Sequence, residues 1–187
     1  MKKTLLLLIL VVFVSFNISA QQTHKRAVYL GYTGFLGSAL CYERKVSHNF
    51  SMTFEAEFYF GNWLDLYFEH PVVLAYNASL NARWFPFSYS DGRTVGFFLN
   101  AGLGAGYVAK GGSNVYHIYE YSISGALLSP GIGYKFGVNR RRGFVFAPIL
   151  DVDFFLGKKE YSSKDSREGE FGVEVVPNIR LLFGVGF

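Results

Sequence analysis

The chain holds a single cysteine, Cys41, among its 187 residues. One thiol closes no internal loop, so no disulfide can stand in for a packed interior. Its place far from the N-terminus also argues against a lipid-anchored start. Beyond residue 20 no apolar run reaches the about twenty residues that a membrane-crossing helix needs. Any crossing would therefore be made by strands, which satisfy their backbone groups only in a closed sheet. Charge is sparse too: Asp, Glu, Lys and Arg make up 17% of the chain. With no long basic stretch interleaved with aromatics, nucleic-acid binding has no support.

What the chain has instead is 20 Phe, 13 Tyr and 21 Gly. It opens on Lys2 and Lys3, an apolar run from Leu5 to Phe16, and a small residue at Ala20. That order predicts a secretory signal peptide over residues 1–20, cleaved after Ala20, with residues 21–187 forming one domain. The alternative, a retained signal anchor, suits the short apolar core less well. The segment contains two of the 18 basic residues and none of the 14 acidic ones, so the net charge falls from +4 to +2 on cleavage.

The strongest pattern is at the other end. From Phe171 to Phe187 every odd position is apolar, and the even positions are mostly small, polar or charged. Period-two alternation over seventeen residues is a long strand with two different faces. A tilted membrane-crossing strand needs only about nine to eleven. Seven earlier stretches read the same way: Ala27–Phe35, Leu36–Val46, Phe50–Phe60, Pro71–Phe85, Thr94–Ala109, Tyr119–Val138 and Phe144–Leu156. In the sixth the apolar phase changes near Gly125–Leu128, which predicts a bulge. Short turns follow the second, fourth and sixth strands, whereas longer segments, Gly61–His70, Lys110–Ile118 and Gly157–Glu170, follow the third, fifth and seventh. An even strand number with short turns at one rim and long loops at the other is the habit of outer-membrane barrels. Aromatics gather near both rims: Trp63, Tyr67, Tyr107, Tyr116, Tyr119 and Tyr121 on the loop side, and Trp84, Phe87, Tyr134, Phe136, Phe144 and Phe187 on the turn side.

The final strand resembles the terminal strand of bacterial outer-membrane β-barrels, in which a C-terminal Phe preceded by alternating apolar residues serves as the assembly signal. Ile179, Leu181, Phe183, Val185 and Phe187 match that pattern, and Tyr42-Glu43-Arg44-Lys45 resembles an element near the first strands of small barrels of this kind. The resemblance is to OmpA- and OmpX-like barrels. It implies an all-β, eight-stranded antiparallel up-and-down transmembrane barrel in the outer membrane. It implies as partners outer-membrane lipid, including lipopolysaccharide, and the barrel assembly machinery through the C-terminal strand.

Alternation alone also fits a soluble lipocalin-like binding barrel with its apolar face inward. Three features favour the membrane. The polar face carries glycine stretches such as Gly102, Gly104 and Gly106; it has few lysines; and a soluble barrel has no use for the aromatic rims and the terminal Phe187. Turned inward, the polar faces bring together Glu43, Lys45, Glu55, Glu57, Arg83, Lys135, Asp151, Asp153, Glu174 and Arg180. An eight-stranded interior is just filled by side chains, so these charges are expected to form a paired structural network. A narrow pore for small ions or solutes is the alternative. His70 and His117, with Asp65, Glu69 and Glu120 nearby, are the candidates for a lipid-modifying enzyme, but no accompanying motif is present. His24 and His48 are poorly placed for one. Lys158, Lys159, Lys164 and Arg167 in the last long loop would suit lipid phosphates, with Asp165 and Glu168 against a purely basic patch. The reading is a monomeric, non-enzymatic barrel with a structural or surface-interaction role, to which we assign no catalytic residue, metal or cofactor.

Overall fold

A computed structural model describes residues 25–33, 36–60, 72–87, 96–111, 121–138, 143–161 and 170–187. Eight strands follow one another: β1 (Arg26–Thr33), β2 (Leu36–Ser47), β3 (Phe50–Phe60), β4 (Val72–Trp84), β5 (Gly96–Lys110), β6 (Tyr121–Val138), β7 (Gly143–Tyr161) and β8 (Glu170–Gly186). Each pairs antiparallel with the next, and β1 pairs with β8, so the sheet closes into an up-and-down ring with no free edge. Residues 1–20, expected to be a signal peptide, and the aromatics Trp63, Tyr67, Tyr116 and Tyr119 lie outside the described residues.

The two faces of the ring differ because the side-chain period is two and the sequence alternates with it. The outward positions of β3 are Phe50, Met52, Phe54, Ala56, Phe58 and Phe60; its inward ones are Ser51, Thr53, Glu55, Glu57 and Tyr59, with Ser51, Thr53 and Tyr59 fully buried. The same division holds around the ring. Leu30, Leu40, Leu80, Leu103, Leu150, Val175 and Phe183 all stand exposed on the outside.

Several strand ends move relative to the sequence reading. β7 continues through Lys158, Lys159 and Glu160 to Tyr161, a stretch expected to be loop. Polar residues hide the alternation there, but the backbone ladder persists: Lys159 pairs with Ile123 on one side and with Glu170 on the other. Its ammonium lies 3.9 Å from the ring centre of Tyr121 and 4.9 Å from that of Tyr161. Likewise Lys110 closes β5 instead of opening a loop. The bulge expected at Gly125–Leu128 is absent, and the β5–β6 register runs unshifted from Gly96↔Lys135 to Lys110↔Tyr121. The apparent change of phase has another cause: the inward face itself turns apolar there, with Tyr121, Ile123 and Leu127 buried. Tyr121 therefore belongs to the interior and not to an outer aromatic rim. Register shifts occur elsewhere, between Lys45 and Ser47 and between Val72 and Leu74.

On the turn side, Trp84, Phe87, Phe144 and Phe187 are exposed, and Tyr134, Phe136, Phe146 and Phe183 form a run of rings with centres 4.5, 5.7 and 4.7 Å apart. On the loop side Tyr107 stacks on Tyr76 at 5.0 Å.

Inside, glycine makes room for its bulky cross-strand neighbours. A Cβ on Gly133 would come within 2.4 Å of the buried Phe98 ring directly opposite it. Gly184 faces Tyr29 and Gly31 faces Leu182 in the same way. Gly133→Ala should therefore destabilise the fold by about 1–3 kcal/mol through overpacking. Phe98→Leu in the same chain should recover part of the loss, as a double-mutant cycle of denaturant midpoints will read.

Candidate functional site

The interior is layered. Toward the turns, Ala27, Tyr29, Ala39, Cys41, Phe85, Phe98, Val145, Ala147, Ile149 and Leu182 form one apolar cluster. Toward the loops, Tyr59, Ala75, Val108, Tyr121, Ile123, Leu127, Phe155 and Val176 form a second. Between them runs a belt of buried charge and amide, presented by the inward positions of strands on every side of the ring.

Glu55 on β3 is the centre of the belt. One carboxylate oxygen accepts from Arg83 Nη2 on β4 and the other from Arg180 Nη1 on β8. Arg180 also donates to Glu57 at 2.6 Å and to Asp151 on β7. From Arg83 the chain of charges continues to Glu43 on β2 at 3.6 Å, and Glu43 accepts from Lys135 Nζ on β6 at 2.9 Å. Six of the eight strands thus meet in one connected network. Neutral groups complete it. Tyr29 donates to Glu43 at 2.5 Å, Asn178 donates to Thr33 at 3.0 Å, and Asn100 links Arg83, Asn81 and the Ser129 carbonyl. The Arg83 guanidinium also lies 5.0 Å from the Phe98 ring centre. Asp153 accepts from Ser129 Oγ.

Of the ten charges expected inside, Glu43, Glu55, Glu57, Arg83, Lys135, Asp151, Asp153 and Arg180 are at most 5% exposed. The other two lie at opposite rims. Lys45 is half-buried at the turn end. Glu174, near the loop end, is bound by Lys110 at 3.2 Å and by the Tyr121 hydroxyl at 2.7 Å. A reading based on charge alone passed over Tyr29, Thr33, Asn100 and Asn178, although each stands at an inward position of its strand. It also assigned Lys110 to a loop, although the alternation from Val108 carries it inward.

This chemistry is suited to holding a shape. Arginines are permanently charged donors, and each carboxylate is turned on a cation or a hydroxyl. Among the described residues no three His, Cys, Asp or Glu side chains are grouped to hold a metal ion. His48, in the turn between β2 and β3, is exposed and far from the belt. His24, His70, His117, Asp65, Glu69, Glu120, Lys164, Arg167, Asp165 and Glu168 lie outside the described residues. On β8, Ile179, Phe183, Val185 and Phe187 are exposed on the outer face, with Leu181 half-buried beside them. The chain matches no family model, no curated protein and no solved structure.

The belt and the surface respond differently to the loss of a charge. Arg83→Ala or Arg180→Ala strands buried carboxylates and should cost about 3–5 kcal/mol. Lys158→Ala removes the exposed pair with Glu160 and should cost about 0–1 kcal/mol. Urea midpoints of the three variants against the parent check both values.

Proposed function

We propose that the protein is an integral outer-membrane β-barrel, monomeric, with a side-chain-filled lumen and a structural or surface-interaction role. One observation carries the reading. Among the described residues, the outer face bears no charged side chain between Arg26 and Arg44 at the turn end and Lys158 and Glu160 at the loop end. The interior meanwhile holds the buried charges. A water-soluble ring has the reverse distribution, because contiguous exposed apolar surface beyond a few hundred Å2 is rare on soluble monomers. An apolar band about 25 Å tall between two aromatic girdles is what lipid requires of a strand ring. Strands β2–β8, of 11 to 19 residues, reach the length needed to cross; β1, of 8, falls one short.

The resemblance of the last strand to the assembly signal of OmpA- and OmpX-like barrels supports the same location. It makes β8, with Ile179, Leu181, Phe183, Val185 and Phe187 outward, the segment that the barrel assembly machinery would read. The lumen reading rests on its layers: two apolar clusters enclose a network in which the buried charges other than Asp153 each meet an opposite charge, which supports a plug over a water-filled path. Activity of such a barrel resides at its rims and outer wall, toward lipid, lipopolysaccharide or a surface partner.

The protein should fractionate with outer membranes and change its gel mobility on boiling in detergent. Recovery in the soluble periplasm without a mobility shift would favour the lipocalin-like alternative. Leu103→Arg, at the middle of β5 on the outer face and 63% exposed, should lower the stability of the inserted barrel by about 2–4 kcal/mol. In planar bilayers the purified barrel should conduct poorly, whereas steady single-channel currents would replace the plug with a pore.

A further inference from the structure

We propose that the turn rim beside β1 and β2 is a binding site for the phosphate-bearing headgroup of an anionic phospholipid. The proposal rests on the membrane reading and assigns a ligand to one place on the barrel's edge. A concavity of about 370 Å3 opens there, lined by Lys25, Arg26, Arg44, Lys45, Ser47 and His48 together with Val46. Among the described residues no Asp or Glu side chain lines it.

Arg26 and Arg44 are direct cross-strand partners, and both are exposed on the outer face. Like charges directly opposite each other on a sheet are destabilising. A phosphate between them turns that repulsion into two charge-assisted hydrogen bonds, the geometry for which a guanidinium is best suited. The backbone holds the surrounding groups in place. Lys45 N donates to the Lys25 carbonyl at 2.9 Å, and Arg26 and Phe187 exchange hydrogen bonds at 3.0 and 2.8 Å. The register shift between Lys45 and Ser47 kinks β2 at Val46, which stands 60% exposed at the edge of the concavity.

The neighbours of the two arginines define the rest of the ligand. Next along the outer face from the Arg26–Arg44 pair stand Val28, Tyr42, Met52 and Val185, with Phe187 beside Arg26, and all are exposed. A basic recess that continues directly into an apolar wall fits a molecule anionic at one end and apolar along its length. Free phosphate would satisfy only the first half.

The test uses the whole chain, expressed in cells and purified from membranes in a nonionic detergent. Native mass spectrometry then compares dioleoylphosphatidylglycerol with dioleoylphosphatidylcholine, which has the same chains and no net charge, with inorganic phosphate as a third arm. Phosphatidylglycerol should be retained about 30- to 150-fold better than phosphatidylcholine, as two or three basic residues at a lipid surface imply. R26S together with R44S should cut the preference to a few-fold at most, and K158S at the opposite rim should leave it intact. If the double variant fails to fold, K25Q, at an exposed position outside the strands, should still lower the preference several-fold. Insertion into phosphatidylcholine vesicles, followed by the boiling shift, is scored separately. Insertion without a headgroup preference overturns the lipid site and leaves the membrane reading standing, whereas failure to insert overturns both. Displacement of phosphatidylglycerol by an equal concentration of inorganic phosphate would overturn the lipid assignment in favour of a free-phosphate site.

Discussion

Two arginines drawn out of water reach the same carboxylate, and the interior depends on that junction. Arg83 and Arg180 are both essentially inaccessible to solvent, and Glu55 holds one with each of its oxygens. Burying a charge is costly unless a partner meets it with good geometry. Here one partner, Arg83, comes from the neighbouring strand β4, and the other, Arg180, from β8, 125 positions away in sequence. The links to Arg180 and Lys135 therefore form only once distant strands have come together. Glu43 repeats the device on a smaller scale, joining Lys135 of β6 to Arg83 of β4. Cross-wall pairing ties ring closure to the pairing of the buried arginines.

The apolar clusters above and below the belt complete the interior. They keep water from the ion pairs and so lower the local dielectric in which the pairs act. The same low dielectric makes any missing partner expensive, which explains why the belt also recruits neutral groups such as Tyr29, Thr33, Asn100 and Asn178. An interior built this way has little freedom to rearrange. On the proposed function, surface recognition would fall to the rims, where charge is exposed and the constraints of pairing are relaxed.

Much of this was legible in the sequence, for a simple reason. A strand with unlike environments on its two faces must alternate, and in β3, β4 and β8 nothing interferes with that signal. Strand number, order and the inward placement of Glu55 or Arg180 follow directly. The signal failed where a face changed character along its length. On β6 the inward positions Tyr121, Ile123 and Leu127 belong to an apolar layer, so a hydropathy pattern mistakes depth for a change of phase. At the far end of β7, Lys158 to Tyr161 lie in the ladder although neither face reads as apolar. Pairing partners across the ring are set by closure and strand stagger, which no single segment records, so the links Glu43–Lys135 and Glu55–Arg180 were beyond reach. Which neutral residues would join the belt was likewise undetermined, because asparagine and threonine suit a turn or a wet surface equally well.

Alternation has one blind spot, and the interior glycines cover it. Sliding one strand past its neighbour by two residues keeps every side chain on its own face, so hydropathy cannot penalise the error. Steric fit can. On the β1–β8 seam, Tyr29 stands opposite Gly184 and Leu182 opposite Gly31. A slide in one direction sets Tyr29 against Leu182; a slide in the other sets Gly31 against Gly184. On the β5–β6 seam, where Phe98 meets Gly133, the corresponding errors pair Phe98 with Lys135 or Gly133 with Gly96. Each slip thus produces either a collision or a hole, and both are costly in a packed interior. Glycine, usually considered a source of looseness in a strand, serves here as a proofreading device for the closure of the ring.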